Sequence, residues 1–111
     1  MIARATLAEI DVVRMRIDDA VHLFEESILP ALREREGFEG VYVLATPDGK
    51  ALVLTFWDSH EAAEAELASG FYGAQVEKFV TVFKSPPGRE TYEVVLADTP
   101  VPANDYWEKA K

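Results

Sequence analysis

The chain has 111 residues, one domain's worth, and a monomer of that size buries only about two thirds of the surface its unfolded chain exposes. Its 49% hydrophobic and 28% charged content is ordinary for a soluble domain, and no window approaches the roughly 20 apolar residues that a membrane span requires. A formal charge of −9, from 20 acidic and 11 basic residues, repels a polyanion, and the absence of cysteine excludes disulfides, thiolate metal sites and cysteine nucleophiles.

Nucleic acid is therefore not an expected partner. The acidic residues are spread through helix-like segments, such as Glu25-Glu26 and Glu61, Glu64 and Glu66, as on a solvated helical face. The start of the chain, Met1-Ile2-Ala3-Arg4-Ala5, has no charged segment followed by an apolar run and a small-residue cleavage site, so a cytoplasmic location is expected.

Residues 2–11 are rich in short and β-branched side chains with weak alternation, which predicts a first strand whose polar members are Arg4, Thr6 and Glu9. From Asp18-Asp19, acidic residues suited to a helix N-terminus precede Val21, Phe24, Ile28 and Leu32 at near-helical spacing, giving helix one. Pro30 lies inside that pattern. There it removes a backbone hydrogen bond and clashes with the preceding turn at a cost of about 3 kcal/mol, so a kink is expected over residues 26–29. Gly37 is the expected left-handed stop.

Two apolar runs, 41–45 and 51–57, flank Pro47-Asp48-Gly49 and predict a hairpin. Asp58 is the expected cap of helix two, with Glu61 as its capping-box partner. That helix carries Ala62, Ala63 and Leu67, breaks at Gly70 and resumes through Val76, Phe79, Val80 and Phe83. Residues 84–89, with two prolines and a glycine, read as a loop, and 91–97 as the last strand. The domain is expected over residues 1–97, with a C-terminal tail over 98–111. The order βαββαβ, with right-handed crossovers, gives an α+β, ferredoxin-like sandwich with two helices on one face of an antiparallel sheet.

A sheet covered on one side alternates apolar and polar side chains. This one does not. Leu52, Leu54 and Phe56 point one way and Ala51, Val53, Thr55 and Trp57 the other; the second strand divides into Tyr42 and Leu44 against Val41, Val43 and Ala45. Leaving several such side chains wet forfeits roughly 1.5–3 kcal/mol each. The second face is expected to meet the same face of another copy, making a homodimer, since twofold self-association is the commonest closed assembly. The alternative cover is the tail, through Tyr106 and Trp107.

Several stretches resemble the antibiotic biosynthesis monooxygenase (ABM) domain group. They are Ile28-Leu29-Pro30-Ala31-Leu32-Arg33, Gly37-Phe38-Glu39-Gly40, Phe56-Trp57-Asp58-Ser59 and the Glu61-Ala62 opening of helix two. The resemblance runs from strand one to about Leu96 and implies a dimeric α/β barrel in which two sheets face each other. The group includes cofactor-independent monooxygenases of electron-rich phenols and quinols, haem-degrading enzymes and proteins of no assigned activity, so fold alone does not set function. Trp57 stands where the group has a tryptophan before helix two. Glu66 stands where members with an Ala-His-Leu pattern have histidine, and strand one has Arg4, Thr6 and Glu9 where several active members use asparagine.

Oxygenation without a cofactor needs a dry pocket and a group that deprotonates or holds a phenol. Trp57, Tyr42, Tyr72 and Tyr92 are candidate walls of such a pocket, Trp57 also a catalytic candidate, against ordinary core packing. His60, beside Trp57, is a candidate base, against a surface histidine at a helix N-terminus; His22 is similar. Arg4 is a candidate for holding an anionic substrate group, against a salt bridge to Glu9 or Glu93. Two isolated histidines make no metal site, and no cofactor is implied. No glycine-rich phosphate loop or Gly-x-Ser-x-Gly elbow is present. The expected function is binding of a small hydrophobic or aromatic ligand between sheet and helices; the alternative is a cofactor-independent monooxygenase acting on a phenol or quinol.

Overall fold

The computed structural model describes residues 1–77, 79, 81–85 and 87–98, excepting the side chains of Tyr72 and Val76. The elements among these residues are β1 (Ile2–Glu9), α1 (Ile17–Ser27), α2 (Leu29–Arg33), β2 (Phe38–Ala45), β3 (Lys50–Trp57), α3 (His60–Ser69), α4 (Phe71–Glu77) and β4 (Gly88–Glu93). The strands form one sheet in the order β2-β3-β1-β4, with every neighbouring pair antiparallel. This is the expected α+β, ferredoxin-like arrangement. No helix among the described residues is long and apolar enough to cross a membrane.

Asp18 and Asp19 occupy the first turn of α1, where carboxylates face the positive end of the helix dipole. The helical pattern is split at Ile28, as Pro30 requires. Proline then falls in the first turn of α2, where a missing backbone N–H costs least. Ile28 and Leu32, on either side of the break, are both buried and anchor the pair of helices in the core.

The stop of this helical region differs from expectation. It ends at Arg33 with Glu34 still right-handed, and Gly37 comes later, at φ 80°, in the turn that enters β2. Glycine is required there by space as well as by angle: a Cβ would lie 2.5 Å from Ala62 Cβ and 2.8 Å from Asp58 Oδ1. The Asp58 N–H donates to Gly37 O at 2.8 Å, fixing that turn to the start of α3.

Asp58 is consequently not the cap of α3. Ser59 is; its Oγ accepts from the Ala62 N–H at 3.1 Å, while Asp58 is committed to the turn through its backbone. Glu61 sits in the first turn as an acidic residue, without a capping-box bond. Gly70 breaks the helix as expected, in the left-handed conformation.

Two further corrections follow beyond α4. The helix ends at Glu77; Phe79 and Val82 are buried from turns, and Phe83 forms a bridge with Ile10. Val80 lies outside the described residues. β4 begins three residues before the apolar run and ends at Glu93, because its partner begins at Ile2. The Val94 N–H donates to Met1 O, and Val95 and Leu96 leave the sheet exposed. An edge strand is set here by backbone pairing to β1, which makes no demand on apolar side chains.

The helices cover one face of the sheet. Ile2, Ile10, Ala20, Ile28, Leu32, Trp57 and Ala63 form the buried cluster, closed at one end by Phe79 and Val82. The other face carries Leu7, Tyr42, Leu44 and Tyr92, which are 49%, 38%, 48% and 51% exposed. Tyr106 and Trp107 of the tail lie outside the described residues.

Candidate functional site

Register places the helix-facing side chains of the strands in rows. Ala45 pairs with Ala51 and Ala51 with Ala8, so three alanines lie abreast across β2, β3 and β1. The next row is Val43, Val53 and Thr6; the one after is Val41, Thr55 and Arg4. Side-chain size thus falls toward the hairpin end of the sheet. The space left above the alanines is a partly open cavity of about 70 Å³, roofed by Val21 and Phe24 of α1 and closed at one end by Gln75, Phe79 and Phe83.

Among the described residues of that lining only Thr6 and Gln75 bring polar groups, and none of them is ionisable. Thr6 is buried and takes part in a polar interaction. Gln75 Oε1 is buried without a hydrogen-bond partner. A neutral apolar chamber with one or two polar groups is the usual composition of a small-molecule site.

A buried carboxylate lies apart from that lining. Glu66 of α3 is 4% exposed, and its Oε2 accepts from Arg35 Nε at 2.7 Å. The Arg35 guanidinium sits 4.8 Å from the centre of the Phe71 ring, a cation–π contact. Glu66 Oε1 has no partner.

The residues expected from sequence are dispersed. Trp57 is 1% exposed on the helix side of the sheet; its Nε1 donates to Thr55 Oγ1 at 3.1 Å and its ring meets the edge of Phe38 at 5.6 Å. It does not line the cavity. His60 is the exposed first residue of α3, with Nε2 3.6 Å from Glu64 Oε1. His22 is exposed on α1. Arg4 is half-buried in the third row and makes no ion pair with Glu9, which points to the opposite face, or with Glu93.

Tyr42 and Tyr92 share the open face but stand on the two edge strands, β2 and β4. Tyr42 packs edge-on against Phe56 at 5.8 Å, and the Tyr92 hydroxyl donates to Glu90 Oε2. Tyr72 belongs to α4, and its side chain lies outside the described residues. No three His, Asp or Glu side chains cluster as a metal site among the described residues.

The alanine row and Gln75 escaped the sequence reading. The row was in reach, since Ala45 and Ala51 flank the hairpin turn symmetrically and so must pair. Gln75 was not, because only the turn at Gly70 decides which side of α4 faces the sheet.

No family model and no curated protein matches the chain. Solved structures do. A protein of unknown function from Nitrosomonas europaea, NE2512, superposes with a TM-score of 0.69 at 21% identity, over 91% of this chain and 95% of that one. The ActVA-Orf6 monooxygenase of Streptomyces coelicolor, solved in complex with nanaomycin D, gives 0.69 at 17% identity over 90% and 92%. An antibiotic biosynthesis monooxygenase gives 0.67 at 13% over 86% and 100%. At such identities the likeness is one of backbone arrangement. The chain folds as an antibiotic biosynthesis monooxygenase-type α+β domain.

Proposed function

We propose that the protein binds a small hydrophobic or aromatic ligand in the cavity between sheet and helices, and that it does so as a homodimer joined through the open sheet face. The observation that carries the first part is the alanine row. Larger side chains at Ala8, Ala45 and Ala51 would fill the chamber and pack the core more tightly, and interiors otherwise leave few voids larger than a water molecule. The dimer rests on the exposed Leu7, Leu44, Tyr42 and Tyr92, whose solvation is unfavourable in a lone subunit.

Cavity size bears on the ligand. An engineered cavity of about 150 Å³ is known to hold benzene. The chamber here, about 70 Å³ and partly open, favours a single small ring or a short branched chain that protrudes from it. A polycycle requires Phe24 or Phe79 to swing outward.

The S. coelicolor protein of like fold, a monooxygenase with a bound ligand, favours a second reading: cofactor-independent oxygenation of a phenol or quinol. The described lining residues offer Thr6 and Gln75 to hold a hydroxyl but no ionisable base among them, so in this reading the substrate's own acidity supplies the phenolate.

Native mass spectrometry of the freshly purified protein tests the first reading, with a dimer carrying a co-purified apolar molecule as the expected result. A ligand-free monomer that takes up no apolar probe would overturn it. Oxygen uptake with a panel of quinols separates the second reading from the first, since a binding protein shows no turnover.

A further inference from the structure

The chamber adjoins a surface groove beside α1. Ile17 and Ala45 line both, and the groove runs on between the loop before α1 and the hairpin turn, past Arg16, Asp18 and Thr46. A ligand that protrudes from the chamber on that side therefore enters the groove. Thr46 is already committed there, since its Oγ1 donates to Asp48 Oδ1 and accepts from the Lys50 N–H. Asp11, in the same loop, faces Arg14. Arg16 and Asp18 are not committed. They stand on either side of Ile17, both exposed, and neither side chain has an ion-pair or hydrogen-bond partner among the described residues.

The groove thus sets one cationic and one anionic group just outside an apolar chamber. A hydrocarbon would use the chamber and neither charge. An apolar carboxylic acid would meet Arg16 but set its own charge against Asp18, and an apolar amine would do the reverse. A molecule with both charges on the carbon that bears its apolar chain meets each group with its opposite.

We infer that the ligand is an apolar α-amino acid, with its branched or ring side chain in the chamber, its carboxylate at Arg16 and its ammonium at Asp18. The inference rests on the proposed ligand-binding role of the cavity and adds to it the class of ligand and the two residues that read it. The chamber, about 70 Å³ and partly open, then holds a side chain and not a whole molecule. Affinity comes from burial of that side chain. Because Arg16 and Asp18 are solvent-exposed, each contributes a few-fold discrimination.

L-Leucine, 4-methylpentanoate and 3-methylbutylamine share one branched chain and carry both charges, the negative one or the positive one, so an NMR titration of the full chain with each at neutral pH tests the assignment, with toluene as the uncharged probe. Leucine is expected to bind at least about threefold more tightly than either analogue, the factor that one exposed ion pair supplies, and to move the Ile17 and Ala45 amide resonances. Arg16→Gln should weaken leucine and the acid and spare the amine; Asp18→Asn should weaken leucine and the amine and spare the acid. Both side chains are exposed, so neither substitution threatens the fold. Leucine binding no tighter than the analogues, or a preference untouched by both substitutions, would overturn the inference, and toluene binding in that case would leave the binding role standing. Binding of none of the four overturns both.

Discussion

Arg35 Nε donates to Glu66 Oε2 across 2.7 Å, joining the turn that follows α2 to the buried side of α3. The two partners are unequal. Glu66 is 4% exposed, whereas the Arg35 side chain keeps 35% of its surface in water and lays its guanidinium over Phe71. Removing the arginine therefore strands a buried carboxylate, while removing the carboxylate leaves an arginine that solvent can still serve. Arg35→Met is expected to destabilise the fold by about 2–3 kcal/mol, below the loss seen when a fully buried pair is broken. Adding Glu66→Leu is expected to restore much of it. Urea unfolding of the single and double variants decides; a neutral Arg35→Met would mean that Glu66 is already satisfied without its partner.

Trp57 presents a different kind of test, because its position is structural even though it is the residue that most suggests a site. Trp57→Ala should cost about 3–5 kcal/mol, the range for deleting a large buried aromatic side chain. Trp57→Phe keeps most of the packing against Phe38 and loses the Nε1 hydrogen bond to Thr55 Oγ1, so about 1–2 kcal/mol is expected. Since Trp57 does not line the cavity, Trp57→Phe should leave the affinity for a small apolar probe within about twofold. A larger change in affinity would place Trp57 in the site after all.

The fold was largely legible because periodicity and punctuation agreed. Pro30, Gly70 and the Pro47-Asp48-Gly49 turn marked where elements end, and the hairpin register followed from the turn. Errors came where neighbouring chain, and not local pattern, made the choice. Asp58 lost the cap to Ser59 because its backbone was already bonded to Gly37, and β4 took Gly88 to Glu93 because those residues face β1. The site was less legible for a related reason. Aromatic and ionisable residues attract notice in a sequence, but a chamber is made where side chains are small, and alanines carry no chemical signal until register sets three of them side by side.

The hairpin turn offers a pH-dependent observable. Thr46 Oγ1 donates to Asp48 Oδ1, and this bond, the largest cause, holds the Asp48 carboxyl below its ordinary value; Lys50 and Lys84 add smaller effects in the same direction. A depressed carboxylate favours the folded turn above its unfolded-state pKa, and the contribution is lost as pH falls through the lowered folded value. Side-chain NMR titration should find Asp48 below the usual aspartate range, and Thr46→Ala should raise it toward that range. Asp48 is fully solvent-exposed, so little change in global stability is expected. An unshifted Asp48 in the native protein would show that the hydroxyl bond does not persist in solution.

The open face of the sheet bears the proposed dimer, and its geometry picks the residue to change. Leu44, Leu52 and Leu7 lie abreast on β2, β3 and β1, back to back with the sheet's helix side, and Leu52 is the middle one. In a twofold interface each substitution acts twice. Leu52→Lys places two ammonium groups in a largely apolar contact, where the neighbouring carboxylate of that face, Glu9, already stands across from Lys50, so the dimer dissociation constant is expected to rise at least about 100-fold. Val13→Lys, on a loop residue 92% exposed, is the matched control and should leave the assembly unchanged. Light scattering coupled to size exclusion, run from about 1 to 100 μM to span weak and tight association, reads the result directly. A native chain that stays monomeric over that range, or a Leu52→Lys variant that stays dimeric, would show that the leucine row is not where two copies meet. Because Leu52 and Val53 point to opposite faces of β3, the same variant should retain the cavity and its affinity for apolar probes within about twofold if one subunit builds the site alone. A parallel loss of dimer and of binding would mean that the partner sheet holds the chamber in shape.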